Sequence, residues 1–289
     1  MISRFDLKYH FYADDTQIYD STTCENLHLL TYRLQQCFNE IKSWMNLNRL
    51  MLNDGKTEVI LVGRPTMLKN VDQTSITFGD SVTTFSNTVK NLGVFLDSNL
   101  SFLNQVNNIL RKIYLDLMRM RKVRHLLSLE VAIILVNALI LSKLDYCNSI
   151  LANITKDKIK SPKVAQNDAA RLVFKKKRSA HVTHLLKQLH WLPIEKRIQY
   201  KICCIVHKSV HSECPEYINE LLPTYVPTRN LRSKLDNHVL IKPKIYRKIG
   251  EQSFSFSAPL FWNSLPGHIR HTDNMDKFKS LLKTFLFAM

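Results

Sequence analysis

Apolar residues recur along this chain at two spacings, and the spacing changes about a third of the way through. Aromatic and β-branched residues flank HFYADDTQIY, residues 10 to 19, so residues 5 to 19 are expected to form two strands and a tight turn. Leu27, Leu30, Leu34, Phe38, Ile41 and Met45 then follow at intervals of three to four, the period of an amphipathic helix. KTEVILVG (Lys56 to Gly63) reads as a short buried strand, and SITFGDSVTTFS as two strands around Gly79-Asp80. VKNLGVFLD (Val89 to Asp97) reads as a strand broken by Gly93, where the backbone must bend or come close to a neighbour.

From Asn99 the pattern is helical, with helices expected near 103–124, 129–148 and 164–174. KKKR at Lys175 to Arg178 closes that stretch. The last third is expected to be helical around 181–190 and 194–211, then looped at Pro223, Pro227, Pro243, Pro259 and Pro266. HVLIKP and QSFSFSAP could pair as strands, and Asp273 to Phe287 reads as a closing helix. The expected class is α+β, in segments 1–98, 99–180 and 181–289.

Charge changes this picture most. The 289 residues carry 41 Lys+Arg against 24 Asp+Glu, a formal net charge of +17, which favours a polyanionic partner. Hydrophobic residues at 45% and charged residues at 22% describe a folded protein, not a disordered one. With 6 glycines, glycine-rich linkers and glycine-rich phosphate loops are disfavoured. Cysteines at 24, 37, 147, 203, 204 and 214 lack zinc-knuckle or disulfide-framework spacing and read as reduced thiols. The longest apolar run, Val131 to Leu141, is shorter than the roughly 20 residues that span a bilayer. A protein without membrane segment or signal peptide is expected, in the nucleus or cytoplasm.

Two adjacent carboxylates, Asp14 and Asp15, sit at the expected turn. One reading is a polar turn that favours aspartate. The other is a divalent-metal site: magnesium takes hard oxygen ligands, and a turn can aim neighbouring side chains into one cleft.

YADD at the tip of a β-hairpin resembles the catalytic hairpin of reverse transcriptases. NRLMLNDGKTEVILVG resembles the helix-to-strand segment that follows it in non-LTR (LINE-type) retrotransposon polymerases, and VKNLGVFLDSNLSF their primer-gripping hairpin. RLVFKKKRSAHVTHLLKQLHWLPIEKRI and SFSFSAPLFWNSLPGHIR resemble the distal part of the same polyprotein, so the resemblance runs from Tyr9 to about Phe287.

The resemblance implies a partial polymerase palm with a primer-grip-like hairpin over 1–98, a helical thumb over 99–180 and a C-terminal region over 181–289. It implies RNA-directed DNA synthesis on an RNA template and DNA primer, with two Mg2+ (or Mn2+) ions stabilising the attacking and leaving oxygens. Asp14 is then the leading metal ligand and Asp15 the second. Lys56 matches the lysine near the triphosphate, where a general acid helps pyrophosphate leave; a solvated lysine is the alternative. Tyr12 and Gly93 would lie by the nucleic acid. Arg111, Lys112, Arg119, Arg121, Lys122 and Arg124, with Lys175, Lys176, Lys177 and Arg178, would line its phosphates, against the reading of a solvated helix face. KKKR also fits a nuclear-localisation patch.

The family's third carboxylate and its fingers belong upstream of Tyr12. The expectation is therefore a C-terminal palm fragment that is inactive alone, with a non-enzymatic nucleic-acid-binding protein or a decayed reading frame as alternatives. Cys203, His207, His211 and Cys214 suggest zinc. Residues eight apart on a helix, however, stand about 12 Å from each other, and a packed helix is the favoured account. Trp191 and Trp262 read as core anchors.

Overall fold

The computed structural model describes residues 1–79, 81–225, 238–246 and 248–288. Asp80 of the expected hairpin turn and Pro227 of the expected loops lie outside the described residues. Two compact units divide the chain, Met1–Asn104 and Gln105–Met289, so helices on both sides of residue 180 belong to one unit.

The first unit is mixed α and β, as the pattern predicts. Strands β1 (Lys8–Tyr12) and β2 (Asp15–Tyr19) pair antiparallel, from Lys8 with Tyr19 to Tyr12 with Asp15 at the tip. Helix α1 (Leu27–Leu47) carries two apolar faces. Leu30 and Cys37 pack with Ile2 and Leu7, joined by Ile18 of the hairpin. Phe38 packs with Ile76 and Phe78, and Leu34 serves both clusters. A short helix α2 (Pro65–Leu68) precedes the hairpin of β3 (Ser75–Phe78) and β4 (Ser81–Thr84).

Val89 to Asp97 is a hairpin in place of one broken strand: β5 (Thr88–Asn91) and β6 (Val94–Asp97) pair across Leu92 and Gly93, whose φ angles are 44° and 82°. Consecutive positive φ values are what a two-residue turn between twisted strands requires. The hairpin is closed below by Asp97, whose carboxylate accepts from the backbone N–H of Ser101 at 2.8 Å and of Phe102 at 2.7 Å.

KTEVILVG is not a strand. Within it only Val59 bridges, to Phe85, while Val62 is exposed. A buried strand needs neighbours on its edges and cover on its faces, and the flanking hairpins pair within themselves.

The second unit is helical: α3 (Leu103–Val123), α4 (Leu129–Val136), α5 (Ser142–Asp145), α6 (Lys156–Val173), α7 (Thr183–Gln188), α8 (Ile194–Val210), α9 (Glu216–Asn219), α10 (Phe254–Asn263), α11 (Gly267–Arg270) and α12 (Met275–Ala288). The helix expected over 129–148 contains a π segment at Asn137–Leu141. Helix α6 starts eight residues before its expected beginning and keeps Pro162 inside. Burial of Ile159, Pro162, Ala165 and Ala169 on one face outweighs the hydrogen bond that proline removes. Trp191 and Trp262 are buried, the latter's indole N–H donating to His238 O at 2.6 Å.

HVLIKP and QSFSFSAP do not pair. The latter enters α10, so Pro259 is helical and not in a loop. Leu240 receives the two bonds a partner strand would offer from one side chain: Asn263 accepts from Leu240 N at 3.0 Å and donates to its carbonyl at 2.8 Å.

A chain with few glycines ends its helices without them. At the residue after the C-cap, α1, α6, α7 and α8 use Arg49, Lys175, His190 and Ser212, with φ of 59°, 52°, 53° and 57°. Each shows the paired backbone bonds of a Schellman motif, as in Ser212 N to Ser209 O and Glu213 N to Lys208 O. The left-handed conformation costs a residue with a Cβ about 1 kcal/mol. Ser212→Gly is therefore expected to raise the melting temperature by about 2 °C; scanning calorimetry reading no rise contradicts that account.

Candidate nucleic-acid interface and acidic turn

The acidic turn is built on α1. Arg33 of that helix grips both ends of the β1–β2 hairpin, donating to Asp6 O at 3.1 Å and to the Asp20 carboxylate at 2.8 Å. A hydrogen bond from Ser21 N, and then Arg33, hold the Asp20 carboxyl below its ordinary value. The far end of the hairpin carries Tyr12, Ala13, Asp14 and Asp15, all exposed. Ala13 has φ 52°, a conformation for which a turn would ordinarily recruit glycine or asparagine. Gln17 lies two residues beyond Asp15 and thus on its face of the strand. It donates to the Asn91 side chain at 2.9 Å, tying this hairpin to the one that turns at Gly93. Lys56 stands exposed in a 3-10 turn, Asp54–Lys56.

The donor chemistry at the turn suits magnesium, but the ligand set falls short. Among the described residues, no group of three or more His, Cys, Asp or Glu side chains is placed to hold a metal ion. Asp14 and Asp15 alone do not make a complete site.

The basic residues are arranged more tightly than the sequence suggests. A cavity of about 820 Å³ in the second unit is lined by Tyr114, Arg121, Arg124, His125, Asp168, Arg171, Leu172, Lys175, Lys176 and Arg178. Tyr114 and Arg121, two turns apart, share the flank of α3 beside its buried stripe of Ile113, Leu117 and Met120. Two guanidiniums build the rest. Arg124 is buried and donates to the carbonyls of Leu127 at 2.8 Å, Leu172 at 3.0 Å and Val173 at 2.5 Å, so it closes the C-terminal end of α6. A cation there also meets the negative end of the helix dipole. Arg171 pairs with Asp168 at 3.1 Å and donates to Ala180 O at 3.1 Å. The left-handed Lys175 turns the chain, and that last bond folds residues 175–180 back over the end of α6.

Lys175, Lys176 and Arg178 therefore face the same hollow as Arg121. Asp168, the one carboxylate in the lining, is taken by Arg171, and none of those four cations has a carboxylate partner among the described residues. Burial, and then Asp168, push the Tyr114 phenol up, against the pull of Arg178 and Arg121.

Arg124 is thus a structural residue, not an exposed phosphate ligand as expected from its charge. Arg111, Lys112, Lys122 and Lys177 are exposed outside the hollow, and Arg119 pairs with Asp116 at 3.4 Å. Tyr114, Asp168 and Arg171 were not singled out from sequence. The i,i+3 spacing of Asp168 and Arg171 just ahead of KKKR was the readable signal.

No protein-family model, curated protein or solved structure matches the chain. The description of both sites accordingly rests on their own chemistry.

The suspected zinc residues are packing residues. Cys203 is fully buried, and burial pushes its thiol up. His207 donates to Thr272 O at 2.7 Å, stacks on Phe278 at 4.2 Å between ring centres, and lies 4.3 Å from the ring of His211.

Arg124→Met should cost about 3 kcal/mol in urea denaturation, because it strips a charged donor from buried carbonyls. Arg178→Gln should leave stability within about 0.5 kcal/mol. Burial first, then neighbouring His211, lower the His207 pKa below 6.5, while Thr272 O, Glu213 and Asp273 oppose this. Its contribution is therefore full above pH 6.5 and is lost as pH falls below that value, where the unfolded chain binds the proton first. The urea midpoint should drop between pH 7.5 and 5.5, and the drop should be smaller in His207→Gln; equal drops refute the assignment.

Proposed function

We propose that this chain is a nucleic-acid-binding protein of non-LTR retrotransposon reverse-transcriptase descent. On this reading residues 1–104 correspond to part of a polymerase palm and the helical second unit holds the phosphates of an RNA template and DNA primer. One observation carries the binding: Arg121, Lys175, Lys176 and Arg178 converge on one hollow without carboxylate partners among the described residues. Four like charges in one concavity repel each other, and an anion relieves the repulsion.

The lineage has separate support. The YADD turn is exposed at a hairpin tip, Ala13 is held in a left-handed conformation, and Gln17 joins this hairpin to the one turning at Gly93. Two carboxylates remain fewer than two-metal nucleotidyl transfer uses, which favours binding over catalysis by this chain. No helix among the described residues is long and apolar enough to cross a membrane.

The 289-residue chain should bind a primer–template duplex with an affinity that falls steeply between 50 and 200 mM salt, by roughly 0.9 of a log unit per log unit of salt for each phosphate neutralised. Lys175→Gln with Arg178→Gln should flatten that slope by about two such units. Salt-independent binding, or none, removes the proposal. Primer extension with Mg2+ or Mn2+ should yield no product, and template-dependent synthesis would show that the chain is a polymerase in its own right.

A further inference from the structure

We propose that the hollow at the end of α6 is a site for the phosphate monoester of a nucleotide, and that it takes the phosphorylated 5′ end of a strand. This rests on the nucleic-acid reading above and makes it more specific. A duplex gripped along its length needs a groove open at both ends. Here the lining comes from the end of α6, from Tyr114 and Arg121 on α3, and from the folded-back 175–178 segment. At about 820 Å³ the hollow falls within the size range of small-ligand pockets, roughly 300–1,000 Å³.

Charge points the same way. An internal phosphodiester brings one negative charge. A terminal monoester brings about −1.5 to −2 at neutral pH and three strong acceptor oxygens. Three or four donors on flexible stems around one point match the second better than the first. Arg121 and Arg178 can each offer a guanidinium fork to two of those oxygens, and Lys175 and Lys176 add point charges. Arg124 and Arg171 are committed to carbonyls and to Asp168, so they fix the shape and leave these four for the ligand. The Tyr114 ring in the same lining gives the base of the terminal nucleotide a face to stack on.

A free nucleoside monophosphate carries the same group, so the test separates the two sources. The full chain is titrated at 150 mM salt with one single-stranded oligonucleotide in 5′-phosphate and 5′-hydroxyl forms, and with a nucleoside monophosphate alone. The 5′-phosphate form should bind about tenfold tighter than the hydroxyl form. Arg178→Gln and, separately, Lys176→Gln should erase that preference. Lys277→Gln, which removes the same charge from an exposed position on α12, should keep it. Two substitutions guard against a folding defect, and matching circular dichroism spectra with wild type are required of both.

Equal binding of the two strand forms overturns this inference and leaves the general nucleic-acid reading standing. Failure of both forms to bind overturns this inference as well, and the general reading falls with it only if the primer–template duplex also fails to bind. A nucleoside monophosphate that binds as tightly as the phosphorylated strand assigns the pocket to free nucleotide and overturns the strand-end assignment.

Discussion

The basic hollow depends on a cation that never reaches it as a ligand. Arg124 lies at the end of α3 with its guanidinium against the last carbonyls of α6. A buried arginine without a carboxylate is ordinarily expensive. Here three carbonyl oxygens and the helix dipole replace the lost water, and the result is a fixed junction between two helix ends. The flank of α3 that carries Arg121 and the chain leaving α6 as Lys175 are both referred to that junction. A lysine could not do the same job, since its single ammonium cannot hold diverging carbonyls in one plane.

In the first unit the corresponding constraint is the double role of α1. The helix is apolar on two faces because it separates two small cores, one under the β1–β2 hairpin and one under β3–β4. Neither hairpin would be stable alone. Arg33 adds direction, fixing the base of the first hairpin so that its tip, with Asp14 and Asp15, projects away from the helix into solvent. The acidic turn is thus held by packing at one end and exposed at the other.

Periodicity recovered the elements whose burial is one-sided. The α1 repeat and the α3 stripe were legible because their covered faces follow the helical period, and the YADD hairpin because aromatic and β-branched residues flank its turn, although Tyr9, Phe11, Tyr12 and Tyr19 are exposed. It failed where another group took over the role of a partner. Leu240 bridges antiparallel to Thr224 on one edge, and on the other the Asn263 side chain supplies both bonds in place of the expected QSFSFSAP strand. Ser-Phe-Ser-Phe-Ser has the period of a strand, but burial of Ala258 and Trp262 selects the helix. The helix expected from 164 begins at Lys156, because packing of its apolar face outweighs the proline at 162. For the site, the charge runs were legible as a list and their convergence was not. That depends on a left-handed Lys175 and on Arg171 reaching Ala180, neither of which leaves a spacing to read.

The distribution of carboxylates explains why a net charge of +17 becomes a localised feature. In the second unit the acidic side chains inside the helical packing act as ties. Asp116 binds Lys143, joining α3 to α5; Asp145 binds Arg197, joining α5 to α8; Asp168 binds Arg171 within α6. Each ties helical residues to one another and neutralises a cation as it does so. Arg121, Lys175, Lys176 and Arg178 are among the cations left without a carboxylate partner among the described residues, and the left-handed turn at Lys175 gathers three of them beside Arg121 at the end of α6.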